Sequence, residues 1–177
     1  YNLYYAYALR CGAFIASETG RKELSREYRR RFDELADMLF RYCYDREERF
    51  FKDGSETGTF SMHTAIWSIL AELVTGSDAE RMIKAVFAKP VSKSTFSMNY
   101  YLFRALEKAG KYEYADILYE DWKKMLDMHC TTWCENPDQP RSECHGWSTA
   151  PLYEFSANIL GVKVAFEDVI QIIPKVI

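Results

Sequence analysis

Between residues 131 and 148 the chain gathers side chains that can do chemistry together. Thr131-Thr132-Trp133-Cys134-Glu135 sets a carboxylate beside an indole, and Arg141-Ser142-Glu143-Cys144-His145-Gly146-Trp147-Ser148 adds a guanidinium, an imidazole and a second indole. Flat apolar rings give a sugar a surface to stack on, and the polar groups can fix its hydroxyls, so the stretch reads first as a carbohydrate site. A carboxylate in such a site is a candidate proton acceptor.

Helices must hold that loop. Apolar residues recur at helical spacing through most of the chain, and Gly or Pro punctuates it at intervals that suit helical hairpins. The pattern predicts a first helix from Leu3 to Ser17, ended by Gly20. A second, from Lys22 to Tyr44, carries Leu24, Tyr28, Phe32, Leu35, Leu39 and Cys43 on one stripe, and Asp53-Gly54 marks a turn. Ser61 or Thr59 caps a third helix holding Ala65, Ile66, Ile69, Leu70 and Leu73, with Gly76 as its stop. A fourth runs from an Asp78 cap to Ala88, a fifth from Ser97 to Ala109 before Gly110, and a sixth from Tyr112 to Met128. Pro151 suits the first turn of a seventh that ends at Gly161.

The expected class is all-α, built from antiparallel hairpins because the connections are short. From Val162 the chain turns strand-like, through Ala165-Phe166 to Ile173, with nothing to pair against. The organisation expected is therefore a helical part over 1–161 and a short β segment over 162–177. A helical start at Tyr1 and this abrupt end read as those of a piece of something longer.

At 177 residues, 48% of them apolar, the chain suffices for one domain with a substantial core. Aromatic residues reach 16%, more than a helical core of this size requires, which points to a surface that uses rings. A net charge of −3 without a basic cluster argues against nucleic acid. Arg29-Arg30-Arg31 is interleaved with Glu27, Asp33 and Glu34, as on a solvated helix face. No apolar run approaches the roughly 20 residues that cross a bilayer, so no membrane partner is expected and the chain should be soluble. Five cysteines cannot all pair, and reduced thiols are expected, with Cys11 and Cys43 on apolar helix faces. No cofactor is implied, and composition leaves compartment and oligomeric state open.

The Thr131-Thr132-x-x-Glu135 run, followed by Arg141-Ser142-x-Cys144-His145-Gly146-Trp147-Ser148 and Pro151-Leu152-Tyr153, resembles the C-terminal half of the catalytic domain of inverting α-L-rhamnosidases. Upstream, Phe60-Ser61-Met62-His63-Thr64-Ala65 and Tyr100-Tyr101-Leu102-Phe103-Arg104-Ala105-Leu106-Glu107-Lys108-Ala109-Gly110 extend the resemblance over nearly the whole chain. It implies about half of an (α/α)₆ toroid, with apolar faces left exposed where neighbouring helices would lie. The substrate it implies is a rhamnose-containing carbohydrate or glycoside. Glu135 matches the general base, which Asn136 and Arg141 would keep ionised, and His145 matches a sugar-contacting histidine. Trp147 then either stacks near the sugar or buttresses His145, Trp133 either meets the C6 methyl or belongs to the core, and His63 either faces the cavity or caps a helix. Tyr100 and Tyr101 point about 100° apart on a helix, so one at most should line a given wall.

The family's general acid lies in an acidic segment of the type D-x-x-x-R-D-E, which this sequence lacks. Asp45-Arg46-Glu47-Glu48 is superficially similar but fits a charged helix terminus. The resemblance therefore implies an enzyme whose acid lies outside this chain, and a fragment that is inactive alone. Three other readings remain open at this point. His129, Cys130, Cys134, Cys144 and His145 could form a zinc-binding helical module, although the C-x₃-C-x₉-C-H spacing is unlike the usual paired ligands. A non-catalytic helical scaffold would present the same hairpins and tyrosines, and a related toroid could act on another hexose or on a uronic acid.

Overall fold

The computed structural model describes residues 1–138, 140–164 and 169–174, and these divide into two compact units. The first comprises 1–93 with 107–110, and the second 94–106 with 111–177.

In the first unit, α1 (Asn2–Glu18) and α2 (Lys22–Tyr42) form a hairpin. Gly20, at a φ of +74°, reverses the chain between them. α1 buries Leu3, Ala6, Leu9, Ala13 and Ala16, one side chain per turn. Its register with α2 is fixed by the Ser25 hydroxyl, which donates to the Ala13 carbonyl at 2.8 Å. One turn away, Gly12 lets the Tyr28 ring approach to where a Cβ would be only 3.1 Å off. The stripe expected along α2 is mostly not buried: Leu39 is enclosed, Tyr28, Phe32, Leu35 and Cys43 are half-buried, and Leu24 is exposed. Tyr4, Tyr5, Phe14 and Ile15 on α1 and Met38 and Phe40 on α2 are likewise exposed apolar side chains. On the polar face, Arg30 and Arg31 both pair with Glu27, which pulls its carboxyl down to about 2.

The second helix ends earlier than expected, because Tyr44–Asp45 (β1) pairs antiparallel with Phe50–Phe51 (β2). Asp45-Arg46-Glu47-Glu48 is the turn of this hairpin and not a helix terminus. The Asp45 carboxylate accepts the backbone N–H groups of Glu47 and Glu48. α3 (Met62–Leu70) is buried on all sides except at His63, as a central helix must be. Its start is not capped by a side chain. The Ser61 hydroxyl turns away to donate to Asp53 at 2.5 Å. The helix stops at Ala71, with Glu72 in the left-handed region at φ +59°, so Gly76 does not end it. Gly76 instead opens α4 (Gly76–Ala88) behind Thr75, and Asp78 lies in the first turn, paired with Arg49 and Arg81.

In the second unit, α5 (Phe96–Lys108) and α6 (Ala115–Asp127) pack through rings, with Phe96 and Phe103 against Trp122 at 4.4 and 6.0 Å. A single 3₁₀ turn, Tyr112–Tyr114, leads into α6. α7 (Ala150–Glu154), with Pro151 in its first turn as expected, continues as a π-turn over Phe155–Ile159. Beyond Gly161 the tail does find a partner, itself: Val162–Val164 (β3) pairs antiparallel with Ile170–Ile172 (β4). Ala165 and Phe166 lie outside the described residues. Among the described residues no helix is long and apolar enough to cross a membrane. The fold is all-α, with two small hairpins as its only described sheets.

Gly161 closes the β3–β4 hairpin. Its φ is +71°, its carbonyl accepts the Ile173 N–H at 2.9 Å, and a Cβ there would lie 1.9 Å from the Ile173 carbonyl oxygen. Gly161→Ala therefore combines a left-handed backbone cost of roughly 1–2 kcal/mol with a clash against main chain. The expected result is loss of amide-exchange protection in β3 and β4, residues 162–164 and 170–172, while α5 and α6 keep theirs. Unchanged protection in the hairpin would contradict this account.

Candidate functional site

The loop that follows α6 is built on main-chain pairing. His129, at φ +55°, turns the chain out of the helix, and the Cys130 N–H closes back on the Met125 carbonyl at 2.9 Å. Residues 132–135 then run antiparallel to 142–145. The Thr132 hydroxyl donates to the Glu143 carbonyl, the His145 N–H to the Trp133 carbonyl at 2.7 Å, and the Glu135 N–H to the Ser142 carbonyl at 2.9 Å. Buried Ser148 ties this pair to α6, since its carbonyl accepts the Trp122 indole N–H at 2.8 Å and its hydroxyl donates to the Cys134 carbonyl at 2.5 Å. Nothing in local spacing announces this strut, because it joins residues 122, 134 and 148.

The loop brings four of the expected site residues together. Arg141 grips the Glu135 carboxylate with both prongs, Nη2 to Oε1 at 2.6 Å and Nε to Oε2 at 3.2 Å. The Trp147 indole N–H reaches the Glu135 main-chain carbonyl at 3.4 Å, and the His145 ring lies 4.2 Å from the Trp147 ring, tilted by 40°. The Glu135 side chain is only 12% exposed whereas that of Arg141 is 85% exposed, so the carboxylate is sheltered beneath a cation that faces water. His145 Nδ1 is buried and has no hydrogen-bond partner among the described residues. Trp133 is half-buried and joins through its backbone. Asn136 uses its side-chain oxygen to accept the Asp138 N–H at 3.2 Å. His63 belongs to the first unit, at the start of α3, where burial holds its imidazole below the ordinary range.

The Arg141 hydrogen bonds hold the Glu135 carboxyl below the usual carboxylate range. A depressed folded pKa means that the stabilising contribution is present above the unfolded value of about 4.3 and fades as pH falls through the folded one. Arg141→Met should move the Glu135 titration upward, toward that unfolded value. Carboxyl titration by carbon-detected NMR measures this, and an unmoved midpoint would show that the ion pair does not set it.

Beside Trp147 opens a cleft of about 360 Å³, walled by Tyr100, Tyr101, Tyr153 and Ser97. Both tyrosines at 100 and 101 line it, contrary to the expectation that one at most would share a wall. The second ring is folded edge-on against the first, with centroids 5.2 Å apart, which overcomes the divergence of their Cβ directions. Arg104 stands behind this wall, its guanidinium 4.9 Å from the Tyr153 ring and 5.6 Å from that of Tyr100. It pairs with fully buried Glu154, whose other oxygen accepts from the Tyr112 hydroxyl and the Asn158 amide, both at 2.7 Å. Burial pushes the phenols of Tyr112 and Tyr119 upward, the latter to about 12, so both remain protonated donors. Sequence reasoning missed Arg104 and Glu154. Both stand in or beside the motifs quoted above, but no spacing links residues 50 positions apart.

Among the described residues no three His, Cys, Asp or Glu side chains gather as a metal ion would need. All five cysteines are free thiols, Cys134 buried and its pKa raised by that burial to about 11.

A helical unit that carries a sheltered carboxylate, an imidazole and an indole on one loop is similar to part of a glycoside hydrolase domain, the mostly helical part of a rhamnosidase. The GH78 family rhamnosidase of Bacillus sp. GL1 matches with a TM-score of 0.78 and 29% identity, over 89% of this chain and 19% of that one. A rhamnosidase from Klebsiella oxytoca, solved with rhamnose bound, shares the fold with a TM-score of 0.74 and 24% identity, over 85% of this chain and 32% of that one. The chain thus spans a third or less of the length of these two proteins. No protein-family model matches it, and no curated protein does.

Proposed function

We propose that the chain is part of the catalytic domain of an α-L-rhamnosidase that hydrolyses terminal α-L-rhamnosides with inversion. In this reading residues 1–161 belong to the C-terminal part of an (α/α)₆ domain, and 162–177 begin a following β segment. One observation carries the reading: Glu135, held ionised by Arg141, shares a single hydrogen-bonded loop with His145 and Trp147. The likeness to the Bacillus rhamnosidase supports it.

Glu135 acts as general base, taking a proton from the water that attacks the anomeric carbon. The general acid lies outside this chain, across a gap of roughly 6.5–9.5 Å that admits the water and the sugar. His145 offers its imidazole to a ring hydroxyl, Trp147 stacks on the sugar, and Trp133 meets its C6 methyl. Arg141 keeps the base charged between turnovers. His63, in the first unit, stays neutral and so can both donate and accept a hydrogen bond.

The test is the anomer first released when the longer protein cleaves an aryl α-L-rhamnoside, followed by proton NMR. Initial release of β-L-rhamnose supports the reading, whereas initial α-L-rhamnose, or no cleavage, rejects it. The 177-residue chain alone should show negligible turnover, since general acid assistance is worth about 10²–10⁴-fold.

A further inference from the structure

The Sγ atoms of Cys130 and Cys134 lie 3.3 Å apart, within the loop that carries Glu135. A disulfide needs a separation of about 2.05 Å, so closing the pair takes a shift of little more than an ångström. The two sulfurs already face one another across one turn of irregular chain. Their backbones are anchored independently: Cys130 N–H is held by the Met125 carbonyl at the end of α6, and the Cys134 carbonyl by the Ser148 hydroxyl. Access differs between them. Cys130 is half-buried while Cys134 is completely enclosed, and Cys144, farther along the same loop, is exposed.

We propose that Cys130 and Cys134 form a modification site, a dithiol that small disulfides such as oxidised glutathione convert to an intramolecular disulfide. The Cys130 thiolate attacks one sulfur of the oxidant, forming a mixed disulfide and releasing one thiol. Cys134, as thiolate, then attacks the Cys130 sulfur and expels the second thiol. The protein loses two protons and two electrons, and the oxidant is reduced to two thiols. The new bond ties the C-terminal end of α6 directly to the residue that precedes Glu135, which links the site to the redox state of its surroundings. This inference is independent of which substrate the loop serves.

The test equilibrates the purified protein, under native conditions, with mixtures of reduced and oxidised glutathione, traps free thiols with an alkylating agent and maps tryptic peptides. Cys130 and Cys134 fall in one peptide, Met125–Arg141, and Cys144 in the next, Ser142–Lys163. The expected result is a Met125–Arg141 peptide lighter by two hydrogens that escapes alkylation, with Cys144 alkylated or carrying glutathione. Cys130→Ser should abolish that species. Oxidation should raise the thermal midpoint of the parent chain, and Cys130→Ser should abolish that rise as well. The proposal is overturned if both thiols are alkylated throughout the series, if glutathione stalls on Cys130, or if Met125–Arg141 becomes linked to Ser142–Lys163.

Discussion

Glu135→Gln should lower kcat for an aryl α-L-rhamnoside about 10²–10⁴-fold in the longer protein, with little change in KM. The amide keeps the size of the carboxylate, and its carbonyl can still accept one hydrogen bond from Arg141. Pairing of the Glu135 N–H with the Ser142 carbonyl at 2.9 Å involves only main chain, so the loop keeps its path. Under the proposed mechanism, what disappears is the ability to accept a proton from the attacking water. Steady-state kinetics across pH separate this from a binding defect, because a lost base removes the acid limb of the profile as well as the rate. Equal turnover by the variant would remove Glu135 from the chemistry and leave it a structural partner of Arg141.

The second large effect concerns stability. Glu154→Leu should destabilise the second unit by about 3–5 kcal/mol, the usual cost of removing one member of a buried ion pair. Glu154 is completely buried and receives Arg104, Tyr112 and Asn158, while the Arg104 side chain is only 18% exposed. Deleting the carboxylate strands a guanidinium where water reaches it poorly. Combining Glu154→Leu with Arg104→Met should recover most of the loss, because no charge is then left behind. Urea unfolding of the two single variants and the double variant measures the coupling. A double variant that is as unstable as the sum of the singles would show that the pair is not the source.

Much of the helical layout was legible because it rests on local signals. Gly20, Gly110 and Gly161 all take positive φ where the pattern placed an end or a turn, and Pro151 opens α7. Errors arose where a local signal met a tertiary competitor. Ser61 has the right residue type for a cap, yet Asp53 offers its hydroxyl a charged acceptor, and a charge-assisted bond outweighs a cap. Gly76 looked like a stop because glycine is common there, but Glu72 had already taken the left-handed turn. The α2 stripe is helical in period, while burial depends on what covers it, which period does not encode.

The site divides in the same way. Glu135, Arg141, His145 and Trp147 lie close in sequence, and their meeting could be anticipated from the loop alone. The aromatic wall of Tyr100, Tyr101 and Tyr153 and its Arg104–Glu154 brace depend on α5 lying against α7, which no short window reveals.

The Glu135–Ser142 hydrogen bond closes the ends of a six-residue excursion, 136–141, before the chain rejoins the strut at Ser148. Insertions near Asp138 should therefore lengthen a tethered finger without displacing the carboxylate. Such a finger could diversify what lies beside the cleft, while the Glu135 carboxylate keeps its place on the Ser148–Trp122 anchor.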